Sequence, residues 1–189
     1  MIAQIDAAQQ NGDTIGGTVE VAAYAVPVGL GSHVQADRRL DARIAAALMS
    51  IPSVKTVKIG DGTQPYLLGS EAHDEIIRRQ TGEITRTSNH AGGIEGGMSN
   101  GQIIHVSCEF KPISTVPRAL NTIDLANGTP CQAIHQRSDT CAVVPGAVIA
   151  QAQVALVLAD ALLEHMGGYS VDQVRENLQA YQHRVEARV

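Results

Sequence analysis

With 189 residues and 44% hydrophobic content, the chain can bury a real core, either as one domain or as a large half of something bigger. Aromatics make up only 3% and tryptophan is absent, so Ala, Val, Ile and Leu must build that core. A net charge of −5 argues against a nucleic-acid or membrane surface, and any anionic ligand would need a local cluster of cations. The three cysteines (Cys108, Cys131, Cys141) are odd in number and lack metal-ligand spacing, which points to a reducing compartment without disulfides. No basic stretch followed by an apolar run opens the chain, so no signal peptide is expected and the cytoplasm is the expected location.

In chain order, residues 1–11 read as a helix end running into a Gly12-Asp13 turn. Residues 18–24 alternate Val19, Val21 and Ala23 against Thr18, Glu20 and Ala22, the period of a half-buried strand. A loop at 26–32 follows, then a helix from about Asp37, which is placed to cap it. Leu40, Ile44, Leu48 and Ile51 share one face of that helix, Pro52 ends it, and Val54, Val57 and Ile59 begin a second strand. Residues 61–88 are polar and read as a surface excursion with a short hairpin.

The densest stretch is 89–141. Gly92, Gly93, Gly96, Gly97 and Gly101 fall within ten residues, which excludes the middle of a helix or strand and lets backbone amides approach a ligand. This is neither a dinucleotide GxGxxG nor a phosphate-binding GxxxxGK[ST], and a tight connection between buried elements is the plain alternative. Ile104, Val106, Cys108 and Phe110 then alternate with His105, Ser107 and Glu109 as a strand, and Pro112 stops its ladder. Lys111 at the strand end, with Ser114 and Thr115 behind it, offers a charge, two hydroxyls and loop amides to an anion, although a solvated turn lysine reads equally well. Arg137 and Asp139 flank Ser138, an arrangement that is a structural ion pair by default. Short extended segments at 122–126 and 131–136 are joined through Asn127-Gly128. A long buried helix, not a membrane span, is expected from Pro145 to Gly167. Ser170 and Gln173 then form a capping box for a last helix carrying Val174, Leu178, Tyr181 and Val185 on one face. A Gly-Gly turn, a strand, a loop and an apolar helix occur twice, at 16–51 and 96–163, without long identity, so a true repeat and a coincidence both stand, and the fold class is α+β either way.

These motifs, in this order, resemble the C-terminal half of chorismate synthase, and the resemblance is closest to its actinobacterial branch. It is carried by the stretches at 12–17, 26–32, 37–43, 59–62, 69–75, 89–101, 110–115, 137–142 and 154–160. The resemblance implies that residues 1–189 form a single domain, part of a β-α-β sandwich with a pseudo-two-fold core. It implies a lyase that removes phosphate from 5-enolpyruvylshikimate 3-phosphate to give chorismate, using reduced FMN although the reaction has no net redox change. An association with NADP and a homotetrameric assembly belong to the same expectation.

Position by position, the resemblance places Gly96, Lys111, Pro112, Ile113, Ser114 and Thr115 against FMN. Arg137 would contact FMN or a nearby phosphate, Asp139 would be the carboxylate near flavin N5, and Pro52 and Ser53 a further FMN-contacting pair. The sequence departs from the family at several of these places. Pro52-Ser53 stands where Gln-Ala is usual, and Thr56 and Lys58 replace a glycine and an acid. Thr63 replaces a phenylalanine, His90 an arginine, and Gln151 a glutamate. The two catalytic histidines and the substrate arginines of the family's N-terminal half have no counterpart. The seven histidines present read as structural, and a complementing half is the expected partner. The alternative is a non-catalytic flavin-binding or subunit-interaction remnant.

Overall fold

A computed structural model describes residues 1–62, 66–82, 84–134 and 139–187. The elements in order are α1 (Ile2–Gln10), β1 (Gly17–Ala23), a 3-10 turn (Ala36–Arg38), α2 (Leu40–Met49), β2 (Val54–Ile59) and α3 (Gly69–Ala72). They continue with β3 (Ile76–Arg78), β4 (Ile84–Arg86), β5 (Ile94–Glu95), β6 (Met98–Ser99) and β7 (Ile104–Phe110). The last are β8 (Asn121–Ile123), β9 (Pro130–Gln132), α4 (Val143–Met166) and α5 (Val171–Glu186). The architecture is α+β, as expected.

The core is one antiparallel sheet in the order β1-β7-β2, with α2 and α4 packed on the sheet and on each other. Pleat and register make it a single apolar layer. Val19 and Val57 both lie opposite Cys108, and Val21 and Ile59 both lie opposite Val106. Val54 lies opposite Phe110, an odd number of residues before Val57. A register shift between Val54 and Thr56 admits the extra residue, so both valines face inward despite that spacing. The two strand–loop–helix passes lie side by side, β1 paired with β7 and α2 against α4.

Leu40, Ile44 and Leu48 are buried on α2 as their spacing predicts, whereas the helix ends at Met49, short of Pro52, and Ile51 is buried just beyond it. Asp37 is not the cap. It lies in the 3-10 turn, and α2 starts at Leu40 without any side-chain cap bond. The reason is that the Leu40 amide donates to the Gly97 carbonyl at 2.8 Å, so the glycine hairpin does the capping. Along the flank of α2, Arg38 pairs with Glu164, and Arg43 pairs with Asp160 and with Glu164 on α4.

The expectation of a buried α4 is corrected. Gly146, Ala150, Val154 and Ala161 are buried on the side of α4 that meets the sheet and α2, whereas Val144, Val148, Ile149, Leu156 and Leu163 are exposed. By length and composition α4 could cross a membrane, but one of its faces is committed to the sheet. At its far end α5 starts on Ser170, whose hydroxyl accepts from the Gln173 amide at 3.3 Å. Val174, Leu178, Tyr181 and Val185 are the half-buried residues of α5, again the expected face. Tyr181 donates its hydroxyl to the Val28 carbonyl at 2.9 Å and meets the edge of His165.

Helix α4 approaches β7 closely because Gly146 has no side chain. A β-carbon there would stand 2.5 Å from Phe110 Cζ, inside a buried layer. Alanine is favoured over glycine in a helix by about 1 kcal/mol, whereas overpacking a core costs about 1–3 kcal/mol. Gly146→Ala is therefore expected to be net destabilising in chemical denaturation. A gain in stability would show that the Phe110 ring moves aside freely.

Candidate functional site

Two clusters form at opposite ends of the central sheet. The first is at the Phe110 end. As β7 finishes, the Lys111 amide donates to the Ser53 carbonyl at 2.8 Å, which ties the loop after β7 to the turn after α2. Ser53 has φ 72°, a left-handed conformation that a non-glycine residue holds only when its surroundings impose it. Pro52 precedes it, exposed. Ile113 accepts at its carbonyl from the Thr14 hydroxyl at 2.7 Å. The Ile15 amide donates to the Thr140 carbonyl at 2.9 Å, and Ile15 also bridges Cys141. Gly16 fits between these contacts only because it lacks a side chain, which would collide with the Phe110 carbonyl.

The segment from Thr14 to Gly16 is thus clasped by the loop after β7 on one side and by residues 140–141 on the other. Pro52, Ser53, Lys111, Pro112, Ile113 and Asp139 are brought to one corner. Ser114 and Thr115 continue from it into an open hollow of about 380 Å³, shared with Val116, Leu120, Thr122, Ala133 and Ile134. Lys111, Pro112, Ser114 and Asp139 are exposed. Arg137 lies outside the described residues, as do Thr63 and His135.

Gly96 is elsewhere. With Gly97 it forms the turn of the β5–β6 hairpin, at φ 60° and 86°, both positive as the tightest hairpin turns require. Gly97 caps the start of α2, while Pro52 and Ser53 follow its end. The ten residues of α2 therefore set Gly96 apart from the Lys111 corner by about 15 Å of helix. A β-carbon on Gly96 would meet nothing within 4 Å, so its backbone is open to an approaching group.

Beside Gly96 is a polar cluster that sequence reasoning passed over. His90 Nδ1 lies 2.6 Å from Asp61 Oδ1, and the His90 carbonyl accepts from the amides of Asp61 and Gly62, both at 3.1 Å. The Asp74 carboxylate accepts from the Ser88 hydroxyl and from the amides of His90 and Ala91. His90 thereby joins the turn after β2, the segment after α3 and the glycine loop. With Ile59, Gly62, Ala72, His73, Ala91, Glu95 and Gly96, His90 and Asp74 line a hollow of about 420 Å³. The hydrogen bond to Asp61 holds the His90 imidazolium above its ordinary range. Burial pushes the Asp74 carboxyl up, but its bonds from Ser88, Ala91 and His90 outweigh that and leave it below the usual range. No group of three or more His, Cys, Asp or Glu placed to hold a metal occurs among the described residues.

An antiparallel sheet under paired helices, with Lys111 and the Ser114 and Thr115 hydroxyls at one sheet end, defines an α+β protein. A family model described as chorismate synthase matches residues 1–163, and the chain belongs to that family. It is 58% identical over 182 residues to the chorismate synthase of Beutenbergia cavernae, covering 96% of this chain and 46% of that one. The Corynebacterium diphtheriae enzyme is 54% identical over 190 residues, covering 100% of this chain and 47% of that one. A crystal structure of chorismate synthase superposes with a TM-score of 0.81 at 38% identity, over 98% of this chain and 48% of that chain. The chain thus spans about half the length of the relatives it matches.

Because folding raises the affinity of His90 for its proton, this residue's contribution to stability is complete below the ordinary histidine pKa. It fades as pH rises through the elevated value. His90→Gln is expected to lower the urea midpoint at about pH 5.5 and to leave it nearly unchanged at about pH 9. A difference that grows with pH would refute the assignment of the proton to the Asp61–His90 pair.

Proposed function

We propose that this chain supplies the flavin-contacting corner of a chorismate synthase, acting with a complementing half of the family's fold. The reaction is the elimination of phosphate from 5-enolpyruvylshikimate 3-phosphate to give chorismate. The observation that carries the reading is the bond from the Lys111 amide to the Ser53 carbonyl. It fastens together two segments, far apart in sequence, that the family resemblance independently assigns to FMN.

The donor set fits an anionic flavin nucleotide. Lys111 supplies an exposed cation, Ser114 and Thr115 supply hydroxyls, and the left-handed Ser53 turns its backbone at the same corner. Reduced FMN, when bound, supplies transient electron density as the substrate's phosphate departs. The chain's own part is to bind and orient. Lys111 and Arg137 offset negative charge, Pro112 and Ile113 present an apolar edge, and Pro52 with Ser53 shapes the floor. Asp139 holds or moves a proton beside the ring. Gly96, one helix length away, contributes its open backbone from the other end of α2.

On this reading residues 1–189 are the C-terminal half of the enzyme, in the cytoplasm, within a homotetramer that uses reduced flavin. The two catalytic histidines and the substrate arginines come from the complementing half. Half coverage of every reported relative supports this division of labour.

The test is a titration of the full chain with oxidised and reduced FMN, with and without substrate, followed by flavin fluorescence and absorbance. Substrate-dependent tightening is expected, weakened roughly tenfold or more in Lys111→Ala and Arg137→Ala, since charge-assisted contacts of this kind contribute about 1.5–3 kcal/mol. Absence of binding at high micromolar flavin, from a chain that circular dichroism shows to be folded, would overturn the reading in favour of a non-catalytic remnant.

A further inference from the structure

Beyond the bond from Lys111 to Ser53, the loop after β7 is gripped twice by one short segment, residues 12–14. The Thr14 hydroxyl donates to the Ile113 carbonyl at 2.7 Å, and the Arg118 amide donates to the Gly12 carbonyl at 2.8 Å. Asp13 ties these two contacts together. One of its carboxylate oxygens accepts from the Thr14 amide at 2.8 Å, the other from the Arg118 guanidinium at 3.2 Å. The segment is itself fixed to the end of α1, where the Gly12 and Asp13 amides donate to the Gln9 and Ala8 carbonyls at 3.1 and 2.9 Å.

Of these contacts the Thr14 bond is the one that sets an orientation. The peptide between Ile113 and Ser114 is trans and planar, so its carbonyl and its N–H point in opposite directions. Thr14 is buried, and holding the carbonyl there turns the Ser114 N–H away from the core. Ser114 is exposed, and its amide has no hydrogen-bond partner among the described residues. Ser114 and Thr115 line the open hollow next to the Lys111 corner. A fixed, unpaired N–H beside two hydroxyls and a lysine can donate to an anionic oxygen without being reordered when the ligand arrives. The Asp13–Arg118 pair is exposed on both sides and open to screening by salt, so the buried hydroxyl carries the positioning.

We propose that Thr14 is a positioning residue for flavin: by holding the Ile113 carbonyl it presents the Ser114 amide to an anionic group of the ligand. The proposal rests on the flavin reading of the Lys111 corner and adds a residue that touches no ligand, 99 positions away in sequence from the carbonyl it holds. Without the hydroxyl that carbonyl must turn to find water, and the Ser114 N–H turns with it.

The test compares Thr14→Val, which keeps the shape and drops the hydroxyl, with Thr14→Ser, which keeps the hydroxyl and drops a methyl. Each full chain is titrated with reduced FMN under conditions where circular dichroism shows it folded. Thr14→Val is expected to weaken binding roughly fivefold, the worth of one neutral hydrogen bond, and Thr14→Ser to bind nearly as tightly as the unaltered chain. Ile44→Val, a trim of the core on α2, separates positioning from scaffolding. It is expected to lower the urea midpoint while leaving flavin binding unchanged. Should Thr14→Val fail to fold, Ser114→Pro measured against Ser114→Ala removes the same N–H directly, and a loss of roughly fivefold is again expected. An unaltered chain that binds no flavin would overturn the flavin reading and this proposal with it. An unaltered chain that binds, with Thr14→Val or Ser114→Pro binding equally well, would overturn the positioning role alone. So would a loss that Thr14→Ser does not rescue, or one that Ile44→Val reproduces.

Discussion

Phe110 is the single phenylalanine of the chain, and its ring lies where Gly146 strips α4 of a side chain. Much depends on that contact. It sets α4 close to β7, and Gly17 allows the same approach at the neighbouring strand, where a β-carbon would come within 3.2 Å of Val143. Because the ring anchors the last residue of β7, the next residue, Lys111, leaves the sheet at a fixed point. Its amide reaches Ser53, and Gly16 slips beneath the Phe110 carbonyl. The corner proposed to meet flavin is therefore a consequence of core packing. Loops positioned this way can carry exposed polar side chains without collapsing, since their backbone bonds are made to the scaffold.

The other end of the molecule obeys a different constraint. α2 has no side-chain cap, and the carbonyl of Gly97 takes that place. The same hairpin puts Gly96 in the open. Arg86 pairs with Glu95 of that hairpin at 2.5 Å, and the Asp61–His90–Asp74 cluster holds the loop before it. Capping, turn geometry and the polar cluster all serve to hold one short glycine segment still. An exposed ion pair alone is worth little. A histidine that also uses its own amide and carbonyl to join three chain segments is worth more to local order than its single side-chain contact suggests.

How much of this was legible in the sequence depends on the range of the signal. The three core strands and α2 were readable because alternation and the spacing of Leu40, Ile44, Leu48 and Ile51 are local and report one buried face. The capping box at Ser170 was readable for the same reason. Asp37 misled because a capping residue type one turn before an apolar run is also what a 3-10 turn uses, and the true cap is 57 residues away at Gly97. The polar cluster at His90 was invisible because its members, Asp61, Asp74 and His90, meet only after folding. At the candidate site, motif resemblance singled out Ser53 and Lys111, but only the structure shows their backbones joined, and only the structure sets Gly96 a helix length apart from them.

Helix α4 shows where composition stops being informative. An apolar helix reads as buried, and this one is apolar on nearly every side, yet only one side has a sheet beneath it. Hydrophobic periodicity records what a surface is made to touch, not whether the partner is present in the same chain. Two facts then bear on each other. The chain spans about half the length of its relatives, and its longest helix exposes a seam of alternating large and small residues. A bare apolar face of this size is unfavourable in water.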